Sequence, residues 1–271
     1  MKWTRLKALA QPIRRLSWKP AVGTRAPDSR RREHPNETRA GASKPAEEEP
    51  PVEETEGILF ALARAVEQRD QSTWNHCERL ALISVALGVS LELDQARLIT
   101  LYRGGYLHDI GKVGIPDSIL FKKGALTAAE WEVMRSHSAR GEEICRHMKS
   151  LEPVLPIIRH HHERWDGTGY PDGLRGNQIP LLARVVQIAD IYDALTSRRS
   201  YKDPLNEEQA LAVMQSESAR GWRDPQLTSM FLQLHDEVIS KISRYSASRE
   251  GEQDHERGSL LCLNQFLAWQ A

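Results

Sequence analysis

Histidine and aspartate fall side by side at two places in this chain. His108-Asp109 opens the run His108-Asp109-Ile110-Gly111-Lys112, and His161-His162 opens His161-His162-Glu163-Arg164-Trp165-Asp166-Gly167-Thr168-Gly169-Tyr170-Pro171. His76, His137 and Asp190 stand apart from these, each on a separate expected helix. Imidazole and carboxylate together suit first-row transition ions better than Mg²⁺ or Ca²⁺, which favour oxygen. Neighbours on a helix point about 100° apart. A His-Asp or His-His pair therefore serves two ions, or one ion and a bridge, more easily than one compact site. A bridging Asp109 with terminal imidazoles is the simplest arrangement. Any single one of the 10 histidines has an ordinary reading as a core or surface residue; the clustering of ligand types does not.

The elements that must position these residues read as helices. Ile58, Leu59, Leu62, Ala65 and Val66 recur at spacings of three and four, which predicts one apolar helix face. A second helix carries His76, Leu80, Ile83 and Leu87, ending near Gly88. Asp94 is placed to cap a third, running through Leu98, Leu101 and Leu107 to His108. Thr127-Ala-Ala-Glu130 is a capping-box pattern ahead of a helix through Trp131, Met134 and Ile144. Pro156 begins a turn of helix leading to His160-His161-His162. Further helices are predicted from Pro180 to Thr196, from Asn206 to about Glu217, and from Pro225 to about Ile242. Alternating strand patterns are scarce. The expected fold is all-α over residues 56–243, preceded by a disordered tail (residues 1–55) and followed by a segment (residues 244–271) whose structure the pattern leaves open.

Composition narrows the setting. Among 271 residues, Lys+Arg and Asp+Glu each number 37, so there is no formal net charge. The balance conceals a basic start, with Arg14-Arg15 and Arg30-Arg31-Arg32, and an acidic stretch from Glu47 to Glu54. Like-charge blocks of this kind mark tails or linkers. Trp3, Leu6, Leu9, Ile13 and Leu16 outline only a thin amphipathic face, interrupted by Pro12. Cys77, Cys145 and Cys262 are scattered, which argues against a disulfide scaffold. No apolar run reaches the roughly 18 residues of a membrane-spanning helix, and the basic start lacks the apolar core of a secretory signal. A cytoplasmic protein is expected.

From about residue 65 to 240 the chain resembles the HD-GYP family of the HD-domain superfamily. The resemblance rests on Leu107-His108-Asp109-Ile110-Gly111-Lys112, Gly114-Ile115-Pro116-Asp117, Gly124-Ala125-Leu126-Thr127 before Glu130-Trp131, the His161 to Pro171 motif, and Ala189-Asp190-Ile191-Tyr192-Asp193-Ala194-Leu195-Thr196-Ser197. Order and spacing together make it specific. It implies an HD-domain-like helical bundle and metal ligands at His76, His108, Asp109, His137, His161, His162 and Asp190. A family variant holds a third ion with a Glu one turn before the first His. Ser72 stands there, so two divalent ions, Fe or Mn, are expected. Asp70 is a candidate for a supporting or substrate contact, with a charge at a helix N-terminus as its equal alternative.

The activity that the resemblance implies is hydrolysis of cyclic di-GMP to linear pGpG. On that reading two ions would lower the pKa of a bound water, and the hydroxide so formed would attack phosphorus in line with the departing ribose 3′-oxygen. Lys112, one turn after His108, is assigned to phosphate or nucleophile positioning alongside the bridging Asp109. Tyr170 is expected to face the substrate and stack on a guanine. Arg199 and Lys202 lie where family members contact phosphate or guanine. Arg199-Ser200-Tyr201 departs from the usual Arg-Pro-Tyr, which should loosen the turn. Asp193 is expected as an acid supporting the ligands or as the partner of Arg199, and is grouped with the substrate residues. Signalling proteins are candidate partners, whereas DNA and RNA are not.

Two other readings stay open: a phosphohydrolase acting on another nucleotide, and a non-catalytic module that binds cyclic di-GMP or a partner protein. Gly169-Tyr170-Pro171 argues against the first, because plain HD enzymes lack that element. Retention of all seven ligand types argues against the second.

Overall fold

A computed structural model of the chain describes residues 52–69, 76–198, 203–249 and 260–270. The expected tail, Asp70, Ser72, Arg199 and Lys202 lie outside the described residues, apart from the last residues of the tail (52–55). Among the described residues the secondary structure is helical throughout, with no strand.

The centre of the bundle is α2 (His76–Ser90), whose residues from Leu80 to Gly88 are all buried. It packs between α3 (Gln95–Leu107) and α8 (Leu181–Thr196), while α1 (Val52–Arg69) lies across α3. A helix buried all round needs apolar residues on every face, and Leu80, Leu82, Ile83, Val85 and Leu87 supply them. α4 (Asp117–Leu120), α5 (Ala128–Arg135), α6 (His137–Cys145) and α7 (Leu155–His160) follow α3, and α9 (Glu207–Ala219) and α10 (Pro225–Ser248) close the bundle beside α8.

Side-chain caps set the starts of α3, α5, α9 and α10. Asp94 accepts from the Arg97 amide at 2.9 Å, satisfying one of the four amides that a helix start leaves without a partner. Thr127 and Glu130 form the reciprocal capping box at α5, Asn206 and Gln209 do so at α9, and Asp224 caps α10.

Three expectations need correction. The buried face of α1 is Leu59, Phe60, Ala63 and Val66, whereas Ile58 and Leu62 are 58% and 52% exposed. Phe60 decides this, packing its ring on Tyr106 at 4.7 Å and Tyr102 at 6.1 Å. The helix expected through Trp131 and Ile144 is two helices broken at Ser136, whose hydroxyl donates back to the Val133 carbonyl. The last long helix runs beyond Ile242 to Ser248, burying Tyr245.

The segment left open at the C-terminal end forms α11 (Leu260–Gln270) and docks against α10 and α3. Cys262, Leu263 and Phe266 are fully buried there, and the Tyr245 hydroxyl donates to the Cys262 carbonyl at 3.0 Å. The three cysteines are free and buried. No helix among the described residues is long and apolar enough to cross a membrane.

Candidate metal centre

Five elements converge on Asp109. His76 is the first residue of α2, and His108-Asp109 follows α3 directly. His137 opens α6, His161-His162 follows α7, and Asp190 lies on α8. Asp109 sits between two groups of ligand atoms, one with His76 and His108 and the other with His137, His161 and His162. His108 Nε2 lies 3.2 Å from Asp109 Oδ2, and His137 Nε2 lies 3.3 Å from Oδ1. Asp190 approaches the first group, with its Oδ1 3.9 Å from His76 Nε2.

The remaining contacts test whether this donor set fits a cation. The Nδ1 atoms of His108, His137 and His161 lie within 2.8–2.9 Å of the carbonyls of Gly105, Met134 and Ile158, to which they donate. His76 Nδ1 faces Asp193 Oδ2 at 2.5 Å. With the proton held on Nδ1, the Nε2 of each of these four rings offers a lone pair to the cluster. His137 and His161 then point lone pairs at each other across 3.4 Å, an arrangement that repels unless a positive charge lies nearby. His108 Nε2 and Asp109 Oδ1 are buried with no hydrogen-bond partner among the described residues, a condition that buried polar atoms rarely tolerate. The donors fit a bound divalent ion.

Charge in the cleft follows the same logic. Burial alone would raise the Asp109 carboxyl, but Lys112 and His108 outweigh it and hold the group well below its usual range. Lys112 Nζ lies 2.9 Å from Asp109 Oδ2. Burial lowers His137 to about 4 against the pull of Asp109, so this imidazole is neutral near pH 7 and free to ligate. His108 loses basicity to burial, yet Asp109 and Asp190 more than restore it, to about 9. An ion on this ring must displace that proton.

Tyr170 lies at the rim. Its ring stacks on His162, with centroids 4.8 Å apart and planes at 28°. The loop that carries it is closed tightly over Glu163. A Cβ on Gly169 would lie 2.2 Å from the Arg164 nitrogen, so no larger residue fits there. Glu163 is fully buried and accepts from the amides of Asp172 at 2.7 Å and Leu174 at 3.1 Å.

The HD domain family matches residues 61–227. The chain belongs to this family. HD domains bind divalent metals, and this one carries a His/Asp cluster whose donors suit such ions. A 3′3′-cGAMP-specific phosphodiesterase 2 of Vibrio cholerae is 39% identical over 69% of this chain and 36% of its own length. A cyclic di-GMP phosphodiesterase of Thermotoga maritima is 36% identical over 73% of this chain and 55% of its own length. The chain thus spans between about a third and about half of these curated relatives. A crystal structure of the Vibrio cholerae cyclic GMP-AMP phosphodiesterase V-cGAP3 superposes with a TM-score of 0.55 at 21% identity, over 80% of this chain and 60% of its own, a likeness of fold.

Some supporting residues of this HD domain were anticipated and others escaped the sequence reading. Asp193, expected as an acid supporting the ligands or as the partner of Arg199 and grouped with the substrate residues, is 3% exposed and lies behind His76, in the first of those two places. Its oxygens accept from Arg79, a residue the sequence reading missed, at 2.7 and 3.1 Å as well as facing His76. His76 and Arg79 outweigh the effect of burial and hold Asp193 well below the usual carboxylate range. The spacing of Arg79 three residues after His76 was the available signal. Gln187 was missed too; its amide donates to the carbonyls of His161 and Glu163, fixing the turn between them.

On this geometry, Asp193→Ala should weaken metal binding about 10–100-fold, the usual cost of removing the partner that orients a ligating imidazole. Titration of the metal-free protein with Mn²⁺ measures it. Native affinity in the variant would show that His76 needs no such support.

Proposed function

We propose that this HD domain hydrolyses a phosphodiester bond of cyclic di-GMP, yielding linear pGpG. The observation that carries the reading is the convergence of five imidazoles on one half-buried aspartate, with Tyr170 stacked at the edge of the group. Similarity to enzymes named as cyclic di-GMP and 3′3′-cGAMP phosphodiesterases supports the substrate class.

His76, His108, Asp109, His137, His161, His162 and Asp190 would hold two divalent ions, with Asp109 between them. Bound ions of this kind make a coordinated water acidic enough to ionise near neutral pH and neutralise charge on the phosphoryl oxygens. The protein's own part is orientation. Backbone carbonyls and Asp193 aim the imidazoles. Lys112 keeps Asp109 ionised and places a cation beside the position of the scissile phosphate. Tyr170 borders the base, and Arg199 and Lys202 bind phosphate or guanine. Iron and manganese suit these ligands equally. The free cysteines fit a reducing compartment, and we place the reaction in the cytoplasm.

A second reading keeps the chemistry and changes the substrate to 3′3′-cGAMP, favoured by the relative that is specific for it. The deciding experiment loads the purified chain anaerobically with Fe²⁺ or Mn²⁺ and identifies the products from cyclic di-GMP and 3′3′-cGAMP. Linearisation of cyclic di-GMP is expected. Stoichiometric metal with no cleavage of either would refute the enzymatic reading.

A further inference from the structure

The reading above leaves one aromatic and one cation at the cleft rim without a role. Trp131 is 45% exposed, one of few large apolar side chains left in water among the described residues. Arg135 follows it by four residues on α5, hence on the same helix face. Its guanidinium carbon lies 5.8 Å from the Trp131 ring and 5.5 Å from the Tyr170 ring. The contact between Arg135 and Tyr170 joins α5 to a loop more than thirty residues away. Tyr170 in turn stacks on His162. Trp131, Arg135, Tyr170 and His162 thus form a continuous row from solvent to the metal cluster.

The electrostatics of the row are open at its outer end. The Arg135 side chain is 48% exposed, and its ion pair with Glu132 is long, at 3.5 Å, with Glu132 itself 76% exposed. So weak and solvated a pair holds a guanidinium loosely. A purine offers both things that such a group lacks: a flat face for the indole and a polar edge for the fork.

We infer that Trp131 and Arg135 extend the Tyr170 rim into a shelf for a purine base of the substrate, and that Arg135 selects guanine. The inference rests on the proposed cyclic dinucleotide hydrolysis and adds a source of base preference to it. An Arg fork donates to two acceptors at once, which guanine presents at O6 and N7. Adenine has an amino donor in place of O6. Trp131 contributes stacking, which every base accepts. The two residues should therefore fail in different ways.

The test compares steady-state cleavage of cyclic di-GMP and cyclic di-AMP by the metal-loaded native chain and its variants. Arg135→Ala should raise KM for cyclic di-GMP about tenfold, one bidentate base contact's worth, while kcat and bound metal stay within about twofold. Its preference for cyclic di-GMP over cyclic di-AMP should shrink by a similar factor. Arg135→Lys should keep the defect, because an ammonium lacks the planar fork. Trp131→Ala should raise KM for both substrates alike. Unchanged kinetics in Arg135→Ala would overturn the inference and leave the hydrolase reading standing. Full rescue by Arg135→Lys would overturn it by showing a phosphate contact, and a metal loss matching the activity loss would do so by showing a structural role. Failure of the native chain to cleave any cyclic dinucleotide would remove both readings together.

Discussion

His161→Ala should strip the centre of metal and lower hydrolysis of cyclic di-GMP by at least about 100-fold, the upper end of what losing a mere supporting partner costs. The ring is 1% exposed, its Nδ1 is committed to the Ile158 carbonyl, and its Nε2 faces His137 Nε2 and Asp109. Its ring neighbours are His108, His137 and His162, so deletion opens the polar cluster more than the apolar core. Metal analysis by mass spectrometry, with circular dichroism as the check on folding, reads the outcome. A folded variant that keeps native metal stoichiometry would sink the ligand assignment.

Gly111→Ala should be comparably severe for a different reason. The short 3₁₀ turn Ile110–Gly114 presses on the start of α6, and a Cβ at residue 111 would lie 1.9 Å from the His137 carbonyl oxygen and 2.5 Å from the Gly141 nitrogen. Both are backbone atoms, so no rotamer change relieves the clash. The turn and α6 must separate, pulling Lys112 and Asp109 away from His137. Overpacking of this kind costs about 3 kcal/mol or more. In a domain of this size that lowers the melting temperature by roughly 10 °C. Differential scanning calorimetry with and without Mn²⁺ measures it, and the variant should also lose the stabilisation that the ion gives. Native melting behaviour in both conditions would show that the two segments are not as tightly apposed as described.

How much could be read from the chain itself depended on range. Asp94, Thr127–Glu130 and Asn206 act on amides three residues away, so their helix starts were legible. The paired ligand types were legible for the same reason, since adjacency is a property of the string. The α1 face was misread because Ile58-Leu62-Ala65 and Leu59-Ala63-Val66 have the same helical spacing, and periodicity does not say which stripe meets Tyr102 and Tyr106. The break at Ser136 occupies a single residue and leaves the pattern intact on either side. Asp193 was left between two roles because its partner His76 is 117 positions away. Glu163 and Gln187, which hold the Tyr170 loop, look like any polar residues until the turn closes on them.

The proposed ligands come from the start of α2, the end of α3, the start of α6, the end of α7 and the middle of α8. No short fragment of the chain contains enough of them to capture an ion, so affinity exists only after most of the bundle has assembled. Occupancy then acts as a rivet through the fold: free metal at a hundred times its dissociation constant would add about 2.7 kcal/mol to unfolding. Divalent metal supply would thereby govern how long the protein survives in the cell, and not its turnover alone.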